Sequence, residues 1–323
     1  MPPSTPTPQP EFPDAFAAAQ ALGRGVNLGN ALEAPNEGDW GVVVQEEYFD
    51  LIKDAGFDSV RIPVRWSAHA AASAPHTIDP KFFACVDEVV GWALARDLQV
   101  VLNVHHYEEM ATAPSAHRER FLALWKQIAE HYEDYPPALL FEPMNEPNGT
   151  LDALLWNSIA ADAVQVIRKS NPERNLVIGG ASWNAYDQLQ YLQLPEDDAH
   201  IIATFHYYNP FQFTHQNAEW VSGSEDWTGK TWDATAAEKA EVIRHFDEVA
   251  AWAEDHHVPV LMGKFGAYSK ADMDSRARWT DFVTREAEYR GFAWAYWEFC
   301  AGFGVYDRDA KKWNEPILKA LIP

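Results

Sequence analysis

The chain has 323 residues and a hydrophobic share of 47%, which is enough for one large domain. Its 25 basic and 48 acidic residues give a formal net charge of −23, and such a surface repels nucleic acid and anionic membranes, so neither is an expected partner. Aromatic residues make up 13% and include 14 Trp, a content that favours a cleft for sugars, whose C–H faces stack on indole rings.

The first 13 residues are rich in Pro and Thr, and they lack the basic region and the apolar stretch of a signal peptide. We expect residues 1–13 to be a disordered linker and residues 14–323 to form a single domain. Linkers of this kind often follow a cleaved secretion signal, so we expect the native form to be secreted. No apolar run approaches the ~20 residues of a membrane helix. Cys85 and Cys300 are too few for a disulfide framework.

Short β-rich runs alternate with longer helical patterns along the domain, which is typical of βα units around a parallel sheet. Eight strands are predicted, at residues 24–27, 59–64, 99–104, 139–144, 175–180, 201–206, 258–263 and 292–297. Helices are predicted between and after them, at residues 45–55, 80–96, 116–131, 151–170, 236–256, 271–290 and 315–321. This order predicts an α/β fold, a single (β/α)8 barrel. No glycine-rich phosphate loop follows a strand, which argues against a doubly wound nucleotide-binding sheet.

Polar and aromatic side chains stand at the ends of these strands, and in a barrel such positions converge on one site. They are Asn30 and Glu33, then Arg61, Arg65 and Trp66, then His105, His106 and Tyr107, then Asn145 and Glu146, then Trp183, then His206, Tyr207 and Tyr208, then Lys264, and finally Trp297 and Glu298. Any one of them alone is more typical of a cap, an ion pair or a core residue. Their joint occurrence indicates an active site, because so many buried polar groups are costly unless they are hydrogen-bonded or functional.

A metal centre is the first alternative to consider, since His105, His106 and His206 could be ligands. Adjacent residues on a strand point to opposite faces, so we do not expect the two neighbouring histidines to share a metal. The chain also has no His-Glu-x-x-His helix. We therefore expect neither a metal nor another cofactor. Residues 210–235 show no strand or helix pattern and contain three Trp, so we expect this loop to line the substrate, with Trp220 along the cleft.

Six blocks of sequence, in order, resemble glycoside hydrolase family 5, most closely its endo-β-1,4-glucanase and mannanase branch. The blocks are residues 25–35 (GVNLGNALEAP), 57–66 (FDSVRIPVRW), 104–107 (VHHY), 145–147 (NEP), 206–210 (HYYNP) and 295–299 (AYWEF). The resemblance implies a retaining hydrolase of β-linked polysaccharide, with two glutamates ~5–5.5 Å apart. It implies that Glu146 is the general acid/base. We expect the substrate to be its only partner and the chain to be a monomer.

The resemblance also implies roles for the other residues at the strand ends. Asn145 would bind the sugar 2-hydroxyl, Arg61 and Tyr208 would orient the nucleophile, His105, His106 and His206 would line the −1 site, Trp297 would stack on the −1 sugar, and Asn30 and Glu33 would reach the −2 sugar. The nucleophile itself departs from the family pattern. The family block Gly-Glu-Phe-Gly reads GKFG at residues 263–266, so Lys264 stands where the second glutamate is expected.

Lys264 leaves three hypotheses open. In the first, the chain is a variant of a β-glycan hydrolase with strongly impaired activity, because an ammonium cannot form a glycosyl ester and opposes the positive charge of the transition state. In the second, Lys264 is a reactive amine that forms Schiff bases with carbonyl substrates. In the third, the protein binds β-glycans without cleaving them. The intact remaining blocks favour the first hypothesis.

Overall fold

The computed structural model describes residues 11–323 and confirms the predicted (β/α)8 barrel. Eight parallel strands follow one another around a closed sheet, and the eighth pairs with the first. They are β1 Arg24–Asn27, β2 Ser59–Ile62, β3 Gln99–Asn103, β4 Leu139–Glu142, β5 Leu176–Gly179, β6 Ile201–Tyr207, β7 Val260–Phe265 and β8 Ala293–Tyr296. A separate hairpin pairs β9 Tyr306–Asp307 with β10 Lys312–Trp313. The predicted bounds of each barrel strand agree with the structure to within two residues. The prediction succeeds because strands that are buried on both faces appear as short apolar runs in the sequence.

The helices surround the barrel and pack their apolar faces against it. They are α1 Ala15–Leu22, α2 Glu46–Asp54, α3 Pro80–Leu94, α4 Glu108–Thr112, α5 Pro114–His131, α6 Ala153–Arg168, α7 Ala181–Asn184, α8 Phe211–Thr214, α9 Ala236–His256, α10 Met273–Tyr289 and α11 Glu315–Leu321. Short 3₁₀ helices lie at Trp66–His69, Tyr186–Tyr191 and Ser224–Trp227. Within residues 11–323, no helix combines the length and the apolar character needed to cross a membrane.

Helix α1 is the main element that the sequence patterns do not predict. Asp14 caps its first turn, and its buried alanines and Leu22 pack against one apolar residue from each of six strands. The helix thereby closes the amino-terminal end of the barrel, so the site can open only at the other end. Most of the predicted linker, residues 1–10, lies outside the described residues. Phe12 and Pro13 lie within them and contact the domain, Phe12 under the Arg174 guanidinium and Pro13 by hydrogen bonds to its carbonyl.

The loop at residues 210–235 is more ordered than its sequence indicates. It contains α8 and a 3₁₀ helix, so the prediction that it has no regular structure is wrong. Its three Trp also differ in position. Trp232 is fully buried against Phe282, and Trp227 packs edge-on against Phe211. Trp220 alone of the three lines the cavity described below. Trp content therefore overstated how much of this loop faces substrate.

Candidate active site

A cavity of about 1930 Å3 opens at the carboxyl ends of the strands. Ten of the twelve predicted site residues line it, and they are Asn30, Glu33, His105, His106, Glu146, His206, Tyr208, Trp220, Lys264 and Trp297. The other two, Arg61 and Asn145, are buried next to its floor. The rule that barrel strand ends converge therefore predicts the location of the site from sequence.

Left-handed backbone conformations turn two of these side chains toward the cavity. Glu146 follows β4 with a φ of 49°, and His106 follows β3 with a φ of 50°. Such angles are uncommon for residues other than glycine and cluster at functional sites. The turn at His106 brings its ring centroid to 4.5 Å from that of His105, and both rings line the cavity. The expectation that these neighbours face opposite ways is wrong, because His106 no longer has strand geometry.

An ion pair between Lys264 and Glu146 occupies the floor of the cavity. Lys264 lies in β7, and its Nζ donates to Glu146 Oε1 at 2.9 Å and approaches Asn145 Oδ1 at 3.4 Å. The lysine side chain is 7% exposed and the glutamate side chain is 19% exposed, so water reaches the carboxylate more easily than the amine. The face of the Trp297 ring covers the ammonium, with Nζ 4.4 Å from the ring centroid.

The charges of this pair follow from its surroundings. Burial alone would raise the pKa of Glu146, but the Lys264 ammonium and the hydrogen bond from His206 outweigh burial and hold that pKa well below its usual range. Burial lowers the pKa of Lys264, and the Glu146 carboxylate partly offsets this effect. Glu146 is therefore an anion at neutral pH. As an anion it can accept a proton but has none to donate.

Arg61 takes a different partner from the one predicted. Its Nε and Nη2 donate to the two carboxylate oxygens of Glu142 at 2.6 and 2.7 Å, and its remaining contacts go to Asn27 and Asn145. Within residues 11–323 it makes no hydrogen bond to Lys264, and its side chain is 1% exposed. Because position 264 carries a cation, this contact pattern does not test whether Arg61 would orient a carboxylate nucleophile there, and that role stays a prediction. Glu142 satisfies the arginine from the end of β4.

Sequence reasoning missed Glu142, although a signal was present. It is an acidic residue in an otherwise apolar barrel strand, and a buried carboxylate in such a place requires a buried cation. Tyr208, which was also expected to contact position 264, lines the cavity, where burial holds its pKa well above its usual range. Its hydroxyl makes no hydrogen bond to Lys264 within the described part of the chain.

The imidazoles around the pair are neutral and have unused polar atoms. Burial lowers the pKa of His206 and of His106 to about 4. His206 Nδ1 lies 2.7 Å from Glu146 Oε1, and because an ionised carboxylate only accepts, this nitrogen carries the hydrogen. Asn103 Nδ2 donates to His105 Nδ1 at 3.2 Å, so the hydrogen of that ring is on Nε2. The Nε2 atoms of His105 and His206 are buried and lack a partner among residues 11–323, which suits hydroxyl groups of a ligand.

Two further buried carboxylates hold the loops that border the cavity. Glu33 accepts hydrogen bonds from the backbone N–H groups of Asn30 and Ala31, and Glu298 accepts from those of Cys300, Ala301 and Phe303. Burial raises the pKa of each to about 7, although the backbone hydrogen bonds act in the opposite direction. The two carboxyl groups therefore titrate in the neutral range, and each holds a loop that borders the cavity.

Aromatic rings line the length of the cavity. The Trp297 ring lies nearly parallel to that of His105, with centroids 6.0 Å apart. Trp183, Phe211 and Trp220 are each more than 40% exposed at the cavity wall, as is Trp40, which packs against His106. Sequence reasoning missed Trp40, which lies in the long segment between β1 and α2, and it missed Phe211, which begins α8 shortly after β6. Exposed rings of this kind are suited to stacking on sugars. In the described chain, no group of three or more His, Cys, Asp or Glu could hold a metal ion.

Comparisons with known proteins agree with this geometry. A model of the cellulase family, glycosyl hydrolase family 5, matches residues 21–302. Endoglucanase H from Acetivibrio thermocellus is 38% identical and covers 98% of this chain, but the chain spans about a third of that relative, 34%. Endoglucanase A from Ruminococcus albus is 29% identical, over 92% of this chain and 89% of that protein. Structures of Thermotoga maritima Cel5A with mannotriose and with cellobiose are 52% identical, covering 96% of this chain and 100% of theirs, with TM-scores of 0.94 and 0.95.

Proposed function

Because the chain belongs to the cellulase family, glycosyl hydrolase family 5, we propose that its cleft is that of an endo-acting hydrolase of β-1,4-linked glucan, glucomannan or mannan, with Lys264 in the place of the catalytic nucleophile. One observation carries this proposal. Side chains from the ends of β4 and β7 meet on the cavity floor, where Lys264 Nζ and Glu146 Oε1 are 2.9 Å apart. Retaining hydrolases place two carboxylates ~5–5.5 Å apart on side chains so arranged, one as acid/base and the other as nucleophile, and the longer lysine side chain reaches across that gap.

The proposed roles follow from position in the cavity. Glu146 is the acid/base, His105 and His206 offer free ring nitrogens to sugar hydroxyls, and Trp297 stacks on the sugar bound over the Glu146–Lys264 pair. One relative, Thermotoga maritima Cel5A, has been crystallised with cellobiose and with mannotriose, which supports a cleft that accepts both glucose and mannose units. Because polysaccharides of this kind do not enter cells, the proposed substrate also favours a native form that acts outside the cell.

Lys264 is expected to impair hydrolysis strongly. An ammonium cannot form the glycosyl ester intermediate, and it repels the positive charge that develops on the sugar ring. The ion pair has a second effect, since it keeps Glu146 ionised and so removes the proton donor. Loss of one member of a catalytic set commonly lowers the rate by several orders of magnitude. The present chain is therefore a hydrolase in scaffold and cleft that we expect to turn over its substrate poorly.

The test is restoration of the carboxylate by Lys264→Glu. We expect this variant to hydrolyse soluble β-1,4-glucan or glucomannan at least ~10³ times faster than the present chain, as for the return of a nucleophile. Lys264→Gln is the matched control, since it removes the ammonium without supplying a nucleophile, and it should remain slow. A Lys264→Glu protein that is folded but inactive would contradict the proposal. If it still bound cello-oligosaccharides in calorimetry, a non-catalytic glycan-binding protein would be the better description.

A reactive amine is a second candidate function, and one observation favours it. Burial against Trp297 lowers the pKa of Lys264, and a lowered pKa increases the share of neutral, nucleophilic amine. The ion pair with Glu146 acts against this. Incubation with a small aldehyde or diketone, reduction with borohydride and mass spectrometry would detect an adduct. An adduct that Lys264→Gln lacks would support the amine, and unmodified Lys264 would exclude it.

A further inference from the structure

Trp220 is an exposed ring whose position depends on a tight turn. The ring is 59% exposed and lines the cavity wall. The Val221 N–H donates to the Ala218 carbonyl at 2.9 Å, which makes Glu219 and Trp220 the two central residues of the turn. A mobile side chain loses rotamer freedom when it binds a ligand, and this loss lowers affinity. A stacking ring of this kind therefore binds better when neighbouring residues hold it in place.

A hydrogen bond from Tyr268 holds the other central residue of that turn. Its hydroxyl donates to Glu219 Oε2 at 2.7 Å. This bond lowers the pKa of Glu219, so the carboxylate is ionised at neutral pH. Burial, together with the same carboxylate, raises the pKa of Tyr268 to about 12, so the phenol keeps its proton. A hydrogen bond to an ionised acceptor is stronger than one between neutral groups, and this one fixes the residue that precedes Trp220.

Tyr268 is itself held by contacts at the carboxyl end of the barrel. It is 9% exposed, and its backbone N–H donates at 2.8 Å to the carbonyl of Thr214, the last residue of α8. The next N–H, that of Ser269, donates to the Gly302 carbonyl in the loop after β8 at 3.0 Å. The Tyr268 ring lies so close to Gly302 that a Cβ there would be 2.5 Å from it. Tyr268 therefore anchors the turn to loops that follow three strands, β6, β7 and β8.

Tyr268 also connects two stacking rings of the cavity. It belongs with Phe303 to a small apolar cluster that is separate from the barrel core, and Trp297 packs against this cluster. The Trp220 ring contacts both members, with centroids 4.9 Å from Tyr268 and 6.2 Å from Phe303. In the part of the chain that the structure describes, no ring contact joins Trp220 to Trp297. The two tryptophans are therefore separate surfaces that can stack on different sugars.

We propose that Tyr268 and Glu219 are positioning residues, whose hydrogen bond fixes the turn that carries Trp220 so that this ring binds a second sugar of a β-glycan, beyond the one stacked on Trp297. This inference rests on the proposed function, which places a β-glycan in the cavity. The pair acts through Trp220, so it determines how much affinity the cleft gains from a ligand long enough to reach that ring. A direct contact between Tyr268 and the sugar is the alternative that the experiment must separate.

The experiment measures the Kd of cellohexaose by calorimetry with the chain as it stands, and chromatography checks that the ligand stays intact. Tyr268→Phe keeps the ring that packs on Trp220 but removes the hydrogen bond, and it should raise Kd at least about threefold. Glu219→Ala should have the same effect. Glu219→Gln, which keeps an acceptor oxygen, should recover part of the loss.

A double substitution tests whether the pair acts through the tryptophan. Trp220→Ala alone should raise Kd about tenfold, as expected for an aromatic contact residue. When Trp220 is already Ala, Tyr268→Phe should have no further effect, because the ring that it positions is absent. A general loss of structure or a direct contact between Tyr268 and the sugar would instead weaken binding equally with and without Trp220. Such an equal loss, or an unchanged Kd in Tyr268→Phe, would overturn the inference.

Two exposed residues provide matched controls. Glu225→Ala removes another carboxylate from the same loop, and Tyr289→Phe removes a hydroxyl from a tyrosine that is 85% exposed, so both should bind cellohexaose as the unchanged protein does. Circular dichroism checks the fold of each variant. The Glu219 side chain is 65% exposed, so Glu219→Ala retains the test if Tyr268→Phe does not fold.

Failure of the inference can be distinguished from failure of the proposed function. If the unchanged chain binds cellohexaose and Lys264→Glu hydrolyses glucan, but Tyr268→Phe and Glu219→Ala bind as before, only the positioning role fails. If the folded, unchanged chain does not bind cellohexaose and Lys264→Glu is inactive, the proposed function fails, and the positioning role fails with it.

Discussion

Two buried ion pairs lie at the same end of the barrel, and they differ in how completely their atoms are used. In the Arg61–Glu142 pair, two parallel hydrogen bonds of 2.6 and 2.7 Å join side chains that are each 1% exposed. In the Lys264–Glu146 pair, a single contact of 2.9 Å joins side chains that are 7% and 19% exposed. Asparagines complete the first pair, whereas histidines with unused ring nitrogens surround the second.

The difference separates a structural pair from a functional one. Burial of charged groups costs hydration free energy, which is offset only by good ion-pair geometry and further hydrogen bonds. The Arg61–Glu142 pair has both. The Lys264–Glu146 pair leaves carboxylate and imidazole atoms facing a cavity, where a ligand can complete them. The first pair therefore holds β2 against β4 and fixes the floor, and we propose that the second determines what chemistry takes place on it.

The largest expected effect comes from breaking the structural pair. Glu142→Gln removes the only carboxylate that contacts Arg61 within residues 11–323 and leaves a guanidinium buried without a counter-charge. We expect a loss of about 3–5 kcal/mol in the free energy of unfolding, measured with urea. Glu146→Gln is the matched change in the other pair and should cost less than half as much, because this pair borders the cavity and the lysine can lose its proton when its counter-charge is removed. Equal losses in the two variants would refute the distinction between the pairs.

A buried carboxylate without a cation extends the comparison. Burial raises the folded-state pKa of Glu298 to about 7 from 4.5, so its stabilising effect is full below pH 4.5 and is lost as the pH rises through 7. Glu298→Gln imitates the protonated form. Relative to the unchanged protein, this variant should gain up to about 3 kcal/mol in unfolding free energy between pH 4.5 and pH 8.

The measurement must be a difference between the two proteins at each pH. His106 and His206 titrate in the same range with the opposite sign, because their pKa values are lowered to about 4, and the difference cancels their effect. Glu33→Gln should show the same trend, since the pKa of Glu33 is also raised to about 7. A difference that does not change between pH 4.5 and pH 8 would show that Glu298 is already ionised at the lower pH.

The two pairs also show which features of the fold and of the site can be predicted from the sequence. Apolar runs predict all eight strands because parallel strands are buried on both faces, and the strand-end rule then locates Glu146 and Lys264. Helix α1 escapes prediction because a run dominated by alanine has little contrast between its faces. Its role becomes visible only when the strands that it covers are assembled.

Partner choice is the part that the sequence does not predict. Arg61 lies next to both β1 and β3, and nothing in its own strand indicates that its carboxylate comes from β4. The orientation of His106 depends on one left-handed φ angle, which overrides strand alternation. Trp232 and Trp220 have similar local surroundings in sequence, and only packing against α10 makes the former a core residue. Each of these features is set by contacts between distant segments.

A smaller effect is expected from Lys264→Met. The folded-state pKa of Glu146 is well below 4.5, so the stability that it provides is present above pH 4.5 and is lost as the pH falls through the folded-state value. Without the ammonium that pKa rises, and the variant loses this contribution. We expect the unfolding free energy of the unchanged protein to be higher than that of the variant at pH 6. This difference should be about 1–2 kcal/mol larger at pH 6 than at pH 3. Lys126→Met on the surface is the control and should show no such pH dependence.

The smallest effect is expected at an exposed pair, Lys126 and Glu130 in α5, whose charged atoms are 3.4 Å apart and whose side chains are 65% and 53% exposed. Solvent screens such pairs, and lysine before glutamate at this spacing is the weaker order. Glu130 also lies in the last turn of α5, where the negative end of the helix dipole opposes its charge. Glu130→Gln should therefore change the unfolding free energy by no more than ~0.5 kcal/mol. A loss near that of Glu142→Gln would show that burial does not determine the strength of ion pairs in this barrel.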